Sequence, residues 1–505
     1  MSIHADTVVV GAGSAGAIVA ARASERSALD VMLLEAGPDY PLPEDLPPDV
    51  VDGTRNSMRA HDWGYHHAPS TRSLPMPFPR GRVIGGSSAV NTCIALRGQP
   101  YDYDEWGLVD WTFAACLPAF RALEDDLDVE NAWHGKGGPI PIRRHASAEL
   151  VPWQAAFVEA ARELGYAEAF DANDPTTSGV GPHAMNKVDG VRMGAGRCYL
   201  TAVVRARPNL RIRPRSLVRR VLVENGSVVG VEVERDGSIE RIGARRVVLS
   251  AGAIGTPGIL LRSGIGPREE VARLGVELVA DVPAVGARLL DHPGSAIFLR
   301  PRAGLIGPRD PLIQTVLRYS AAGSDRANDM LVQPGSCVPI GDETVPMVSI
   351  MAAVGKPRSV GTLRFERADA RVAPRIESNL LADATDRAQL AEALELAWLL
   401  ATSDAMKGLA RIVFPDERIL ASRRELAEHV HRFCGSGYHP AGTAPMGREG
   451  DPDAACDSKG RVRGVHGLFV VDASLMPTMT SANTNLTVLM MGERFGAWFR
   501  DGELD

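Results

Sequence analysis

The chain has 505 residues, and at roughly 150 residues per domain this length predicts two to four domains. Its hydrophobic fraction of 45% and charged fraction of 23% are those of an ordinary globular protein. The net charge of -7, without a basic arm, argues against nucleic acid as a partner.

The cysteine spacing and the hydropathy argue against disulfide-rich, zinc-binding and membrane-spanning proteins. Cysteines occur at six widely spaced positions without a CxxC pair, so neither a disulfide framework nor a zinc site is expected. His61, His66 and His67 lie close together but lack nearby metal-ligand partners, and no metal is predicted. No apolar run approaches the ~18 residues that a membrane span needs. Because the first predicted strand leaves no room for a signal peptide, a cytoplasmic location is expected.

The N-terminal segment predicts one βαβ unit. Thr7–Val10 is a short β-branched strand, an alanine-rich helix runs to about Arg26, and Asp30–Leu34 is a second strand. Between strand and helix lies the hexad Gly11-x-Gly13-x-x-Gly16, and Glu35 ends the second strand. These glycines allow a tight turn, a close approach of the backbone to a pyrophosphate, and close packing of helix on strand. The acid at this distance would meet a ribose hydroxyl, so we predict dinucleotide binding, with NAD and FAD not distinguished by this unit.

The next segments are a proline-rich excursion and a second glycine cluster. Residues 37–79 show little periodicity and predict a long extended segment of functional importance. Gly81–Asn91 contains two glycines followed by two serines, which suits an anion or a flavin edge and opens a helix-like stretch. The alternative is a serine-capped helix start without a ligand.

The middle of the chain predicts strands and then helices. Residues 209–250 alternate as strands with hairpin signals at Asn225-Gly226 and Asp236-Gly237, and a third glycine-rich segment, Gly252–Gly266, follows. Residues 292–370 predict a mixed β region, and Leu390–Thr402 and Glu425–Cys434 predict helices.

The C-terminal segment contains the candidate catalytic residue. His439 lies between glycines and a proline in Ser436–Gly447, a polar loop and not an apolar helix face. A lone histidine is more often a core residue, but this setting favours a functional one. Two further motifs, Asp472-Ala473-Ser474 and Ser481–Leu486, follow it.

These four segments together resemble the glucose-methanol-choline oxidoreductase family over essentially the whole chain and in the right order. Gly81–Asn91 and Gly252–Gly266 are similar to the family's two signature segments, and the run Arg97–Trp106 is similar as well. Bacterial aryl-alcohol oxidase-like and hydroxymethylfurfural oxidase-like members share the patterns around His439 and Asn485, and the chain also resembles choline dehydrogenase-like members.

The resemblance implies FAD as the cofactor and assigns residues to it. The glycine hexad and Glu35 would bind the ADP half, Val218 the adenine, Asp472 and Ala473 the pyrophosphate-ribityl part, and Asn485 with Leu486 the pyrimidine edge. The full set of expected cofactor residues is Gly11, Gly13, Ser14, Ala15, Gly16, Glu35, Ala36, Arg82, Val83, Gly86, Ser87, Val90, Asn91, Thr92, Val218, Ala251, Gly252, Asp472, Ala473, Asn483, Asn485 and Leu486. Because Val90 stands where choline oxidases carry a flavin-linked histidine, the FAD should be non-covalent.

The resemblance also implies an activity. His439 matches the family's catalytic histidine, and Asn483 matches a second active-site position that is histidine in many members. We therefore expect oxidation of an alcohol to the aldehyde, with His439 as the base, Asn483 binding the substrate oxygen, and hydride passing to flavin N5. Phe433 and Tyr438 are expected at the substrate and favour a primary alcohol with an aromatic or apolar body, although Phe433 could equally be core packing.

Two alternatives to an alcohol oxidoreductase stay open from the sequence, and the electron acceptor is open as well. Family relatives that cleave hydroxynitriles keep a redox-silent FAD, so a lyase is the second hypothesis, and a non-catalytic flavin-binding module is the third. Among oxidoreductases, the electron acceptor could be oxygen or a quinone, cytochrome or other redox carrier.

The fold expected from the resemblance is α/β, or α+β overall. It comprises a Rossmann-like FAD-binding domain of residues 1–150, 200–291 and 432–505, and an interleaved substrate-binding domain of residues 151–199 and 292–431, built on an antiparallel sheet.

Overall fold

The computed structural model describes residues 3–338 and 347–505. Its strands, in chain order, are β1 (Ile3–Val10), β2 (Val31–Leu34), β3 (His66–Ala68), β4 (Met76–Pro77), β5 (Glu124–Asp126), β6 (Ile140–Ile142), β7 (Gly179–Pro182), β8 (Lys187–Val188), β9 (Val191–Arg192), β10 (Leu210–Arg213), β11 (Leu217–Glu224), β12 (Ser227–Arg235), β13 (Ser238–Leu249), β14 (Ile265–Gly266), β15 (Ala280–Asp281), β16 (Pro293–Pro301), β17 (Thr315–Tyr319), β18 (Met330–Val338), β19 (Met347–Val354), β20 (Thr362–Arg364), β21 (Arg375–Glu377), β22 (Ala410–Phe414), β23 (Gly435–Ser436) and β24 (Leu468–Val470). Its helices are α1 (Gly16–Ala23), α2 (Pro48–Val51), α3 (Pro100–Asp104), α4 (Phe113–Leu123), α5 (Pro152–Glu163), α6 (Ala195–Tyr199), α7 (Ala202–Arg205), α8 (Gly252–Arg262), α9 (Arg268–Arg273), α10 (Ala384–Thr402), α11 (Glu417–Leu420), α12 (Arg423–Phe433) and α13 (Thr484–Asp501).

The first large sheet is built around the predicted βαβ unit. Its strand order is β10-β2-β1-β13-β12-β11, with β24 paired to β13. The pairs β10–β2, β2–β1, β1–β13 and β13–β24 are parallel, which brings their carboxyl ends to one edge. β11, β12 and β13 form antiparallel hairpins, whose turns contain Asn225-Gly226 and Asp236-Gly237 at positive φ. The hairpin signals of the sequence are therefore confirmed.

The second large sheet is antiparallel and has the order β22-β16-β19-β18-β17-β7, with β23 paired to β16. Helix α10 covers it, and Leu390, Ala393, Leu394 and Ala397 form its buried stripe. The helix begins six residues before the predicted Leu390, because Asp383 caps it by accepting a hydrogen bond from the Thr385 N–H.

A short turn replaces the helix-like stretch predicted after Gly85. Gly86–Ala89 forms one turn of 3-10 helix, preceded by Gly85 at φ 97° and with Gly86 itself at φ 53°. These left-handed conformations are easily adopted by glycine and prevent a regular helix from starting there. The turn instead places its backbone against the N-terminal glycine hexad.

The expected mixed α/β architecture, a Rossmann-like parallel layer beside an antiparallel sheet, is confirmed. The division of the chain into two interleaved domains stays a prediction. A small sheet joins the two predicted domains, because it pairs β3 of the FAD-binding domain with β21 of the substrate-binding domain. None of the helices in the described part of the chain has the length and apolar character that a membrane crossing requires.

Candidate active site

A cavity of about 1060 Å³ lies where the carboxyl edge of the parallel strands meets the antiparallel sheet. Most residues expected at the cofactor or substrate line it: Gly11, Gly13, Ser14, Ala15, Glu35, Ala36, Gly86, Ser87, Val90, Asn91, Thr92, Val218, Ala251, Gly252, Phe433, Tyr438, His439, Asp472, Ala473, Asn483 and Asn485. Gly16, Arg82, Val83 and Leu486 do not line it. Leu486 is fully buried in the core, and Arg82 is exposed with its guanidinium over the Trp63 ring.

Glu35 stabilises the glycine turn at one end of the cavity. Its two carboxylate oxygens accept hydrogen bonds from the Ala12 N–H at 2.9 Å and the Gly37 N–H at 2.8 Å. Burial raises the pKa of Glu35 to about 7, and these hydrogen bonds oppose the shift. A ribose hydroxyl donating to the same carboxylate would favour its charged form further.

Gly13 and Gly16 have different structural surroundings. A Cβ on Gly16 would lie 1.9 Å from the Gly11 carbonyl oxygen, so this glycine is needed for helix α1 to pack on its own turn. A Cβ on Gly13 would meet nothing nearer than 3.9 Å. The space beside Gly13 opens into the cavity, where a pyrophosphate is expected.

Asp472 joins two segments that lie far apart in the chain. It accepts hydrogen bonds from the Gly252 N–H at 2.9 Å, the Thr256 hydroxyl at 2.6 Å and the Ser474 N–H at 2.8 Å. Its carboxylate therefore holds the start of α8 against the turn at 472–474, and both segments line the cavity.

Helix α13 begins at the cavity wall. Asn485 accepts a hydrogen bond from the Ser14 hydroxyl at 2.9 Å, while its buried Nδ2 has no partner in the protein. An unpaired buried amide is costly unless a ligand satisfies it. This donor, the open space at Gly13 and the Glu35 carboxylate all line the cavity, and their chemistry fits the amide, pyrophosphate and ribose groups of an FAD.

Asp291 holds the loop that carries His439. One of its carboxylate oxygens accepts hydrogen bonds from the His439 N–H at 2.9 Å and the His292 N–H at 2.8 Å, and the other accepts from the Ser436 hydroxyl. Burial raises the pKa of Asp291 to about 6. Both oxygens of this carboxylate accept hydrogen bonds from backbone N–H groups or the Ser436 hydroxyl, and neither bonds to the imidazole of His439.

Tyr438 is in the left-handed conformation, with φ 62°. A bulky residue rarely adopts it, and such residues cluster at functional sites. Arg80 stabilises this geometry by donating from Nη2 to the Tyr438 carbonyl at 2.7 Å. The unusual backbone directs the next side chain, His439, towards the cavity.

His439 has two polar neighbours on its ring. Nδ1 lies 2.8 Å from Nδ1 of His292, and Nε2 lies 3.1 Å from the amide nitrogen of Asn483. Burial, with smaller contributions from His292 and Arg80, holds the pKa of His439 well below its ordinary value of 6.5. The imidazole is therefore neutral at pH 7 and able to accept a proton.

The segment before Asn483 is held by a buried ion pair. Asp102 accepts hydrogen bonds from the backbone and hydroxyl of Ser481 and pairs with Lys356 at 3.0 Å. Lys356 also donates to the Met479 carbonyl. Asn483 is thereby positioned beside His439 by Asp102, which the sequence analysis placed only in a motif, and by Lys356, which it did not single out.

His292, Asp291 and Arg80 are the site residues that sequence reasoning missed. A signal was present, since His292-Pro293 repeats the His439-Pro440 dipeptide and opens the predicted β region of residues 292–370. The distance of 147 residues between the two histidines concealed their contact.

The exposed part of the cavity lining carries several apolar side chains beside the exposed Arg72. Phe433, which could have been core packing, is 45% exposed and lines the cavity, with Phe414 at 5.2 Å between ring centroids. Leu74, Met76 and Met351 are further exposed apolar residues of the lining.

The sequence's loose histidine cluster does not form a shared site. His61 bonds Tyr40 and Asp49, whereas His67 bonds Ser378 and stacks on Phe78. Elsewhere in the described residues, Glu124, Asp126 and His134 lie close enough to share an ion. Arg97 and Arg144 already pair with these two carboxylates, so this group is a buried charge network outside the cavity.

Comparison with known proteins decides the family. Two models described as GMC oxidoreductase match residues 5–294 and 357–492. The chain belongs to the glucose-methanol-choline (GMC) oxidoreductase family. It is 35% identical to 5-(hydroxymethyl)furfural oxidase of Methylovorus sp. over 97% of both chains. It is also 32% identical to oxygen-dependent choline dehydrogenase 1 of Chromohalobacter salexigens, over 97% of this chain and 93% of the relative.

A solved structure supports the same conclusion. Pyridoxine 4-oxidase of Mesorbium loti matches with a TM-score of 0.89 and 31% identity, covering 97% of this chain and 98% of that one. The protein is thus a GMC flavoenzyme that uses FAD and oxidises an alcohol. These findings give no support to the hydroxynitrile-lyase alternative.

The two glycines of the FAD turn allow a matched test. We expect Gly13→Ala to fold with a normal melting temperature but to bind FAD at least ~10-fold more weakly, because its Cβ fills space beside the pyrophosphate. Gly16→Ala should instead lower the melting temperature of the apoprotein, since its Cβ collides with backbone. Circular dichroism and FAD titration measure the two effects. Undiminished FAD affinity in Gly13→Ala would show that the pyrophosphate lies elsewhere.

Proposed function

We propose that this GMC flavoenzyme oxidises a primary alcohol with an aromatic or apolar body, using His439 as the catalytic base. The observation that carries the proposal is the placement of a neutral imidazole on the cavity wall, with Nε2 at 3.1 Å from Asn483. An alcohol carbon releases hydride readily only as its hydroxyl proton is lost, and a base of this kind contributes typically ~10²–10⁴-fold.

The chain's own residues divide the work. His439 accepts the hydroxyl proton at Nε2, since Nδ1 is already engaged with His292. Asn483 donates an N–H to the substrate oxygen, which orients the carbon and stabilises developing alkoxide charge. FAD, when bound, accepts the hydride.

The substrate proposal rests on the lining of the cavity. Exposed apolar side chains at its mouth favour an aromatic or apolar body. Among the described residues, the lining carboxylates are Glu35 and Asp472, and both are occupied by hydrogen bonds to the protein. A cationic alcohol would therefore find no unoccupied carboxylate among the described lining residues, which is unfavourable. We infer a neutral aromatic alcohol in preference to a quaternary ammonium alcohol.

Two finer points complete the proposal. We infer that FAD is held non-covalently, because the buried Val90 on the cavity wall offers no nucleophile for a flavin link. The electron acceptor is oxygen or a quinone, cytochrome or other carrier, and the cytoplasmic location expected from the sequence stays a prediction.

Replacement of His439 tests the base. We expect His439→Ala to keep its yellow FAD but to lose at least ~10²-fold in the rate constant of flavin reduction by alcohol under anaerobic conditions. His466→Ala is the matched control, because His466 is exposed and outside the cavity, and should behave as the native protein. Near-native reduction of His439→Ala in stopped flow would refute the assignment.

A matched pair of alcohols tests the substrate class. We expect kcat/KM for 4-tert-butylbenzyl alcohol to exceed that for 4-(trimethylammonio)benzyl alcohol at least ~10-fold, since the two differ mainly in an unpaired positive charge. Running both with oxygen and with an artificial acceptor in parallel also distinguishes oxidase from dehydrogenase. Preference for the cation would refute the substrate proposal, and a flavin that no alcohol bleaches would refute alcohol oxidation itself.

Acid precipitation tests the flavin attachment. We expect trichloroacetic acid to release all FAD into the supernatant, measured by its absorbance. Yellow colour that stays with the washed pellet would demonstrate a covalent link.

A further inference from the structure

The groups around His292 and His439 determine which ring donates and which accepts the hydrogen bond between them. His292 is buried directly before strand β16. Its Nε2 lies 2.9 Å from the Gly355 carbonyl oxygen and 2.8 Å from the Thr480 carbonyl oxygen, and its Nδ1 lies 2.8 Å from Nδ1 of His439. The two rings meet edge to face, at 83°.

The two carbonyls determine the tautomer of His292. A carbonyl oxygen can only accept a hydrogen bond, so Nε2 of His292 must carry the proton. Burial lowers the pKa of His292 to about 4, which keeps the ring neutral. A neutral imidazole with its proton on Nε2 has a lone pair on Nδ1, and that atom is an acceptor.

The tautomer of His439 follows from that of His292. At 2.8 Å, two lone pairs would repel, so Nδ1 of His439 must donate to Nδ1 of His292. The neutral ring of His439 then has its lone pair on Nε2, the nitrogen that faces Asn483. The Asn483 amide is accordingly oriented with its nitrogen as donor to Nε2.

The charged groups around the pair do not impose this arrangement. Asp291 and Arg80 bind backbone groups of the His439 loop, and Asp102 is paired with Lys356. In the described part of the chain, the ring nitrogens of His439 and His292 bond to each other, to the Asn483 amide and to the Gly355 and Thr480 carbonyls, and none of these partners is a carboxylate. A neutral histidine therefore occupies the place behind the base where a carboxylate often lies.

We propose that His292 is a positioning residue, which holds His439 in the Nδ1–H tautomer and so keeps Nε2 unprotonated. The substrate hydroxyl then replaces the Asn483 N–H as the partner of Nε2 and passes its proton to that nitrogen. After proton transfer, the same Nδ1–H continues to donate to His292 and stabilises the imidazolium. This proposal rests on the proposed role of His439 as base. It adds the group that decides which nitrogen of that base reacts.

Two isosteric substitutions isolate the contact. His292→Asn places an oxygen near the position of Nδ1, whereas His292→Leu places a methyl group there. Both variants lose the Nε2–H donor to Gly355 and Thr480, so both carry the same loss of structural hydrogen bonds. Only His292→Asn keeps an acceptor for His439.

The rate constant of flavin reduction is measured anaerobically with benzyl alcohol from pH 5 to pH 9, on holoenzyme with matched FAD content and melting temperature. We expect the rate constant of His292→Leu to fall at least ~10-fold. The hydrogen bond at Nδ1 of His439 sets the orientation and tautomer of the ring, and leucine cannot accept it. His292→Asn should stay within about three-fold of the native rate, as its oxygen restores that bond. Equal rates in the two variants, whether normal or reduced, would overturn the proposal.

A measurement on the native holoenzyme covers the case in which neither variant folds. With ¹⁵N-labelled histidine, the shifts of His439 are expected to show a protonated Nδ1 and an unprotonated Nε2. The opposite tautomer would overturn the proposal. The outcome is separate from that of the proposed role of His439 as base, which fails if the native enzyme's flavin is not reduced by alcohol or if His439→Ala is unimpaired.

Discussion

The active site depends on one buried carboxylate, that of Asp291. It lies where the chain enters the antiparallel sheet, and it binds the backbone of His439 and the hydroxyl of Ser436. This carboxylate joins segments separated by 148 residues. Because both of its oxygens already accept hydrogen bonds from backbone N–H groups or the Ser436 hydroxyl, it positions the His439 loop without bonding to the imidazole. His292, its neighbour in sequence, makes the ring contact instead.

The cofactor half of the cavity depends on a different constraint, the close approach of backbone to backbone. A Cβ on Gly81 would lie 2.2 Å from the Gly86 carbonyl oxygen, and one on Gly86 would lie 2.7 Å from Cα of Gly13. Two glycine clusters far apart in the chain therefore pack against each other without side chains between them. The backbone they expose leaves room for a nucleotide, and the unpaired amide of Asn485 faces the same space.

Backbone groups also constrain the buried pair of His292 and His439. Burial keeps both rings neutral, and two backbone carbonyls then determine where each proton resides. The orientation of His439, the proposed base, thus depends on fixed backbone groups and not on a charged residue. A base without a neighbouring carboxylate stays unprotonated to lower pH than an ordinary imidazole.

Elements whose signal is local were predictable from the sequence. The βαβ unit with Gly11, Gly13 and Glu35, the hairpins at Asn225 and Asp236, and the family resemblance through His439 and Asn483 all depend on short spacings or on motifs in order. Turn chemistry and alternation act between neighbouring residues, so they can be read without the fold. The exact length of α10 and the single turn at Gly86 depended on capping and on packing against Gly13, which local patterns do not record.

The fold alone identifies the groups around His439, the proposed base. His292, Asp291 and Arg80 come from separate segments, and each contact with the His439 loop spans more than 140 residues. It also decided that Phe433 lies at an exposed cavity mouth and that Leu486 is in the core. The physical reason is that hydrogen bonds and burial act through space. A residue's role in them depends on which distant segments the fold brings to within about 3 Å.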